Sequence, residues 1–181
     1  MLGLSSGLLY SQKGRLIEVS YTSDFSSDAD SWVADSVQNS ASDLAMVAGQ
    51  TAPGSSDNDW LMCTYAVSQT SQSGILLDSG VTPSAEALVD FGVQIYLVED
   101  SGSDGTPDWT GADDVFIYMG FGGYNLGIPG LSLNAIHTIE RVGIPTSTNS
   151  NFRIIFQTSD DYPLAGARYY IRNLNFEVYS E

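Results

Sequence analysis

The last long stretch limits most strongly what this chain folds into: Ala167-Arg168-Tyr169-Tyr170-Ile171-Arg172-Asn173-Leu174-Asn175-Phe176-Glu177-Val178-Tyr179. It is aromatic-rich, carries β-branched residues and lacks Gly and Pro, so it reads as one long β-strand. Tyr169 and Ile171 share one phase of the two-residue repeat. Leu174, Phe176 and Val178 keep the repeat on the opposite phase. A one-residue bulge at Arg172-Asn173 returns both sets to one core-facing side. A strand this long, with one apolar face, needs a second sheet to cover it.

The upstream chain supplies the partners. Strands are expected over residues 16–21, 44–47, 60–67, 74–77, 89–98, 115–121, 135–142 and 152–157. The clearest has Val89, Phe91, Val93, Ile95 and Leu97 on one face. Val115, Ile117, Met119 and Phe121 alternate in the same way. No stretch keeps a helical period over three turns. About eight strands joined by turn-rich loops specify an all-β, antiparallel β-sandwich of jelly-roll type. With 181 residues, one such domain is expected over 16–181, preceded by an extended arm over 1–15. Val93, Ile95, Ile117, Met119, Ile154, Phe156, Leu174 and Phe176 are its expected core. The lone cysteine, Cys63, shares its phase with Leu61, Tyr65 and Val67 and is expected buried and inert.

Charge excludes some partners. There are 22 Asp and Glu against 6 Lys and Arg, a net charge of −16, and no cation between Arg15 and Arg141. Phosphate backbones need clustered cations, so nucleic acid is excluded as a partner, and anionic membranes are disfavoured likewise. Charged residues make up only 15%, so the polarity comes mostly from Ser, Thr, Asn, Gln and Gly. That balance is associated with secreted and virion β-proteins. The N-terminus has neither a positive n-region nor a long apolar run, so no signal peptide is expected.

Catalytic constellations are poorly represented. The single histidine, His137, falls inside an expected strand, and no Gly-x-Ser-x-Gly elbow exists. One Cys and one His do not make a zinc site. Gly120-Phe121-Gly122-Gly123 precedes neither a helix nor a lysine, unlike a phosphate loop. No enzyme activity and no cofactor are expected. A structural calcium ion is a better candidate than zinc, because its ligands are loop carboxylates. Asp24, Asp28 and Asp30 form one such cluster, and Asp100, Asp104 and Asp108 another. In the second, Gly102 and Gly111 fill two of the positions where ligands belong. The alternative for both clusters is turn formation. Trp32, Trp109, Tyr124 and Tyr162 lie in expected loops, where they either stack on sugars or anchor the loops to the sandwich.

Two resemblances extend this reading. The segment from Asp24-Phe25 to Trp32 resembles the opening of jelly-roll carbohydrate-binding modules, where an Asp-Phe turn leads to a tryptophan. The closing Tyr169-Tyr170-Ile171-Arg172-Asn173-Leu174 resembles their final strand, usually Tyr-Tyr-Ile-Asp-Asn-Val. Arg172 stands where many members have an aspartate that helps hold a structural calcium, which weakens the calcium expectation here. The opening Met1-Leu2-Gly3-Leu4-Ser5-Ser6-Gly7-Leu8 resembles the start of small tailed-bacteriophage structural proteins, and so do segments 104–111 and 161–168.

Together the resemblances imply a non-enzymatic virion protein, made in the host cytoplasm and present in multiple copies or as a homo-oligomer. It would decorate or cement a capsid or tail. The alternative is a glycan-binding module. Docking onto a virion partner falls to the arm residues Leu2, Leu4, Leu8, Leu9 and Tyr10, with Lys13 and Arg15 beside them. Glycines 3 and 7 allow close approach to another surface.

Overall fold

The computed structural model describes residues 14–35, 44–65, 73–98, 115–121, 126–128, 131–158 and 166–181; at 73, 115–119, 126–128 and 156–158 it describes the backbone alone. The described chain is all β. Its strands are β1 (Leu16–Thr22), β2 (Val33–Ala34), β3 (Leu44–Gln50), β4 (Trp60–Tyr65), β5 (Ser73–Asp78), β6 (Leu88–Leu97), β7 (Val115–Phe121), β8 (Leu126–Ile128), β9 (Ile136–Pro145), β10 (Asn151–Thr158) and β11 (Arg168–Ser180). They form two antiparallel sheets, a first in the order β3-β4-β11-β6-β9 and a second in the order β2-β5-β10-β7-β8.

β11 organises the first sheet. Along one edge it pairs with β6 from Tyr169 to Tyr179. Its other edge is shared: Arg168–Ile171 takes β4, and the later half takes β1. The change of partner falls at the expected bulge, where pairing with β6 shifts between Arg172 and Asn175. Asn173 there has φ 51°, the left-handed conformation that asparagine tolerates better than most residues. The bulge restores the phase. Tyr169, Ile171, Leu174, Phe176 and Val178 are each no more than 2% exposed and share one core cluster.

Phe176 sits at the middle of that core. Its ring stacks on Phe152 of the opposite sheet, with centroids 4.7 Å apart and planes at 5°. Tyr21 stacks on it at 5.2 Å. Phe121 approaches edge-on at 5.2 Å. Such pairs add about 0.5–1.5 kcal/mol each beyond the area they bury. Val93, Ile95, Ile154 and Leu174 are buried as expected. The side chains of Ile117, Met119 and Phe156 lie outside the described residues. Cys63 is fully buried between Leu61 and Tyr65 in phase, and burial pushes its thiol pKa up to about 12.

Two strands escaped the sequence reading. β2 and β8 have two and three residues, too short to show a period. β5 carries a constraint of its own at Gly74. A Cβ there would overlap the Ile154 carbonyl oxygen and crowd the Ile155 Cα of β10.

Truncating Phe176 to Ala should destabilise the protein by roughly 3–5 kcal/mol, read by denaturant unfolding. Gly74→Ala should also lower the melting temperature, because backbone rather than a flexible side chain must move. An unchanged midpoint for Phe176→Ala would contradict the core described here.

Candidate functional site

The outer face of the first sheet carries a layered set of side chains, which the register places row by row. One row runs across five of the sheet's six strands: Val47 on β3, Met62 on β4, Tyr170 on β11, Tyr96 on β6 and Ile136 on β9. Tyr96 and Tyr170 meet edge to face at 6.2 Å, and Tyr170 meets Trp60 likewise at 6.5 Å. Trp60 has no exposure although it lies on the outer side, because Ala52 packs with it and its Nε1 donates to Ser55 Oγ at 3.1 Å.

The adjoining row is polar. Its centre is Arg172, which points outward in the same phase as Tyr170, just before the bulge. The guanidinium lies over the Trp60 ring, 4.6 Å from its centroid. Arg172 Nε donates to Gln94 Oε1 at 2.7 Å. Nη1 donates to Asp57 at 2.5 Å and to Asp59 at 3.1 Å. Gln94 Nε2 then donates to Thr138 Oγ1 at 3.1 Å. Asn173 Nδ2 reaches Gln94 Oε1 at 3.3 Å, and Asn175 Nδ2 donates to the Asn173 carbonyl at 3.0 Å. A hydrogen-bonded chain of planar groups thus crosses β11, β6 and β9. It also ties the 51–59 loop to the sheet. Opposite Asn175 stands Gly92, which leaves no side chain to rise above the amides. The hydrogen bond from Arg172 holds the Asp57 carboxyl below the usual carboxylate range.

Several expected site residues are placed elsewhere. Trp32 is 3% exposed and donates from Nε1 to Ser23 Oγ at 3.0 Å, so it anchors its loop in the core and offers no sugar platform. Trp109, Tyr124 and Tyr162 lie outside the described residues, as do Leu2, Leu4, Leu8, Leu9, Tyr10, Lys13 and the cluster of Asp100, Asp104 and Asp108. Arg15 is held by the domain itself. Its Nη1 donates to Asp90 Oδ2 at 2.8 Å, and its guanidinium stacks 3.8 Å from the Tyr179 ring centroid. Asp90 also accepts from Gly143 N at 2.7 Å and from Tyr179 OH at 3.1 Å. Burial raises the Tyr179 pKa. Arg15 is therefore held against the sandwich.

The loop aspartates act on their own backbone. Asp30 Oδ2 accepts from the amides of Asp24 at 2.6 Å and Phe25 at 3.2 Å. Asp28 Oδ1 accepts from Asp30 N at 2.8 Å, and Asp24 Oδ1 from Ser26 N at 3.1 Å. The last two are Asx turns, and the Asp30 contacts close the loop across five and six residues. Among the described residues no set of three His, Cys, Asp or Glu is arranged to hold a metal ion. His137 Nε2 sits 2.8 Å from the Ser132 carbonyl oxygen, an exposed local contact.

The polar row was missed in the sequence because its members lie far apart along the chain. Arg172 and Gln94, for instance, are 78 positions apart. The one available signal was the departure at Arg172 from the aspartate usual in similar strands.

No family model and no curated protein matches this sequence. Solved structures do share its fold. The C-terminal family 22 carbohydrate-binding module of Clostridium thermocellum Xyn10B superposes with a TM-score of 0.52 at 14% identity, over 87% of this chain and 91% of that one. The CBM22-1–GH10 portion of the same organism's endo-1,4-β-D-xylanase 10B, complexed with xylohexaose, gives a TM-score of 0.52 at 11% identity over 89% of this chain. This chain spans 28% of that one. An arabinose-bound GH51 α-L-arabinofuranosidase gives 0.50 at 12% identity, with 82% of this chain and 23% of that chain covered. The architecture is that of the β-sandwich carbohydrate-binding modules.

The Arg172–Asp57 contact has a pH signature. Because the folded pKa of Asp57 is depressed, its contribution is present above the unfolded value and lost as pH falls through the folded one. Wild type should melt above Asp57→Asn near neutrality, and the gap should close as pH drops below about 4. A gap independent of pH would contradict the pairing.

Proposed function

We propose that this chain is a non-catalytic glycan-binding module. The observation that carries this reading is the row Arg172–Gln94–Thr138 with Asn173 and Asn175, fixed in place on the outer face of the first sheet. Sugar hydroxyls both donate and accept. Carboxamides and hydroxyls do the same, and planar amides address neighbouring hydroxyls with defined spacing. Here their orientations are set before binding by mutual hydrogen bonds, which lowers the ordering cost. Trp60 underlies the Arg172 guanidinium, and the packed Tyr96 and Tyr170 flank the row. The shared fold with carbohydrate-binding modules supports the same reading.

The virion reading rested on residues 1–8, 104–111 and 161–168, nearly all outside the described residues, and the comparisons lend it no support. Glycan binding, the alternative on sequence, therefore becomes the main reading.

The test is retention on a polysaccharide panel by affinity electrophoresis, with Gln94→Ala and Asn175→Ala as variants. Each should keep the wild-type melting temperature within a few degrees. Each lost hydrogen bond contributes about 1 kcal/mol, so the double variant should bind about tenfold or more weakly. Undiminished binding by a folded double variant would move the site off this face.

A further inference from the structure

We infer that this face selects uncharged glycans, with Arg172 serving to neutralise carboxylates rather than to capture an anionic sugar; the inference rests on the glycan-binding reading above. The charge around the polar row is acidic. Asp57 and Asp59 border it, with side chains 55% and 34% exposed. Glu140 stands exposed opposite Gly92, and Glu177 lies one row below on β11. Arg172 is the cation within the row. Its Nη1 is shared by the two aspartates, its Nε is taken by Gln94, and its flat side is turned to Trp60. Arg168 lies on the same face, across the Tyr170 row and level with Thr64.

A uronate or sulfate approaching the polar row would meet two carboxylates before a guanidinium they already hold. The field of a chain of net charge −16 opposes the same approach at long range. A neutral chain meets no such barrier. Its hydroxyls need only the amides, the threonine hydroxyl and carboxylate acceptors that the row presents. An open guanidinium would favour the opposite ligand, because Arg binds carboxylates bidentately. The two aspartates are thus the residues that set ligand charge.

The test uses the full chain and its Asp57→Asn/Asp59→Asn variant. Probes are neutral polysaccharides (a xylan, a mixed-linkage β-glucan and a galactan) and acidic ones (polygalacturonate and hyaluronan), at low and high salt. Wild type should bind at least one neutral polymer and hold the acidic ones at least tenfold more weakly. The double variant should gain acidic-polymer binding that fades as salt rises. Acidic polymers held by wild type as tightly as neutral ones would overturn the inference and leave glycan binding standing. An unchanged preference in the double variant would remove the aspartates from that role. Binding to none of the polymers would sink the glycan-binding reading itself.

Discussion

The structure depends on one irregularity, the bulge at Arg172-Asn173 in β11. A strand has a strict period of two, so a thirteen-residue strand without a bulge would send Leu174, Phe176 and Val178 to solvent if Tyr169 and Ile171 faced the core. Burying one large apolar side chain contributes about 1.5–3 kcal/mol. Three such side chains outweigh the 1–3 kcal/mol cost of a left-handed non-glycine residue. Phe176 can reach Phe152 across the sandwich because of that trade.

The same bulge shapes the outer face. It places Asn173 on the outer side directly after the outward-facing Arg172, near the point where β11 exchanges β4 for β1. Bulges re-aim side chains in this way. Arg172 then gathers Trp60, Asp57, Asp59 and Gln94 from β4, β6 and the loop between β3 and β4. One residue thereby fastens a loop to the sheet and orients the amides of the polar row. The acidic rim and the closed guanidinium follow from that arrangement.

Much of the fold was legible in the sequence. The alternation in β6 and β11 specified which residues face inward, and the phase break at Arg172-Asn173 specified the bulge. Period-two patterns are local, so they survive without knowledge of the fold. The site was barely legible, because it joins residues that only the strand order 3-4-11-6-9 brings together. Trp32 and Arg15 show the same limit. A loop tryptophan and a terminal cation look available until Ser23 and Asp90 are found to hold them. Loop aspartates are ambiguous in sequence for a related reason, since carboxylates suited to calcium also close Asx turns.

Substitution of Asn173 tests most directly whether the bulge supports both the core and the polar face. Glycine adopts a positive φ freely, whereas a β-branched residue does so only under strain. Paired measurements of melting temperature and polysaccharide binding should find Asn173→Gly near wild-type stability, with at most a modest loss of affinity. Asn173→Val should melt several degrees lower and bind far more weakly. If Asn173→Val matches Asn173→Gly in both, the bulge does not hold the molecule together in the way described.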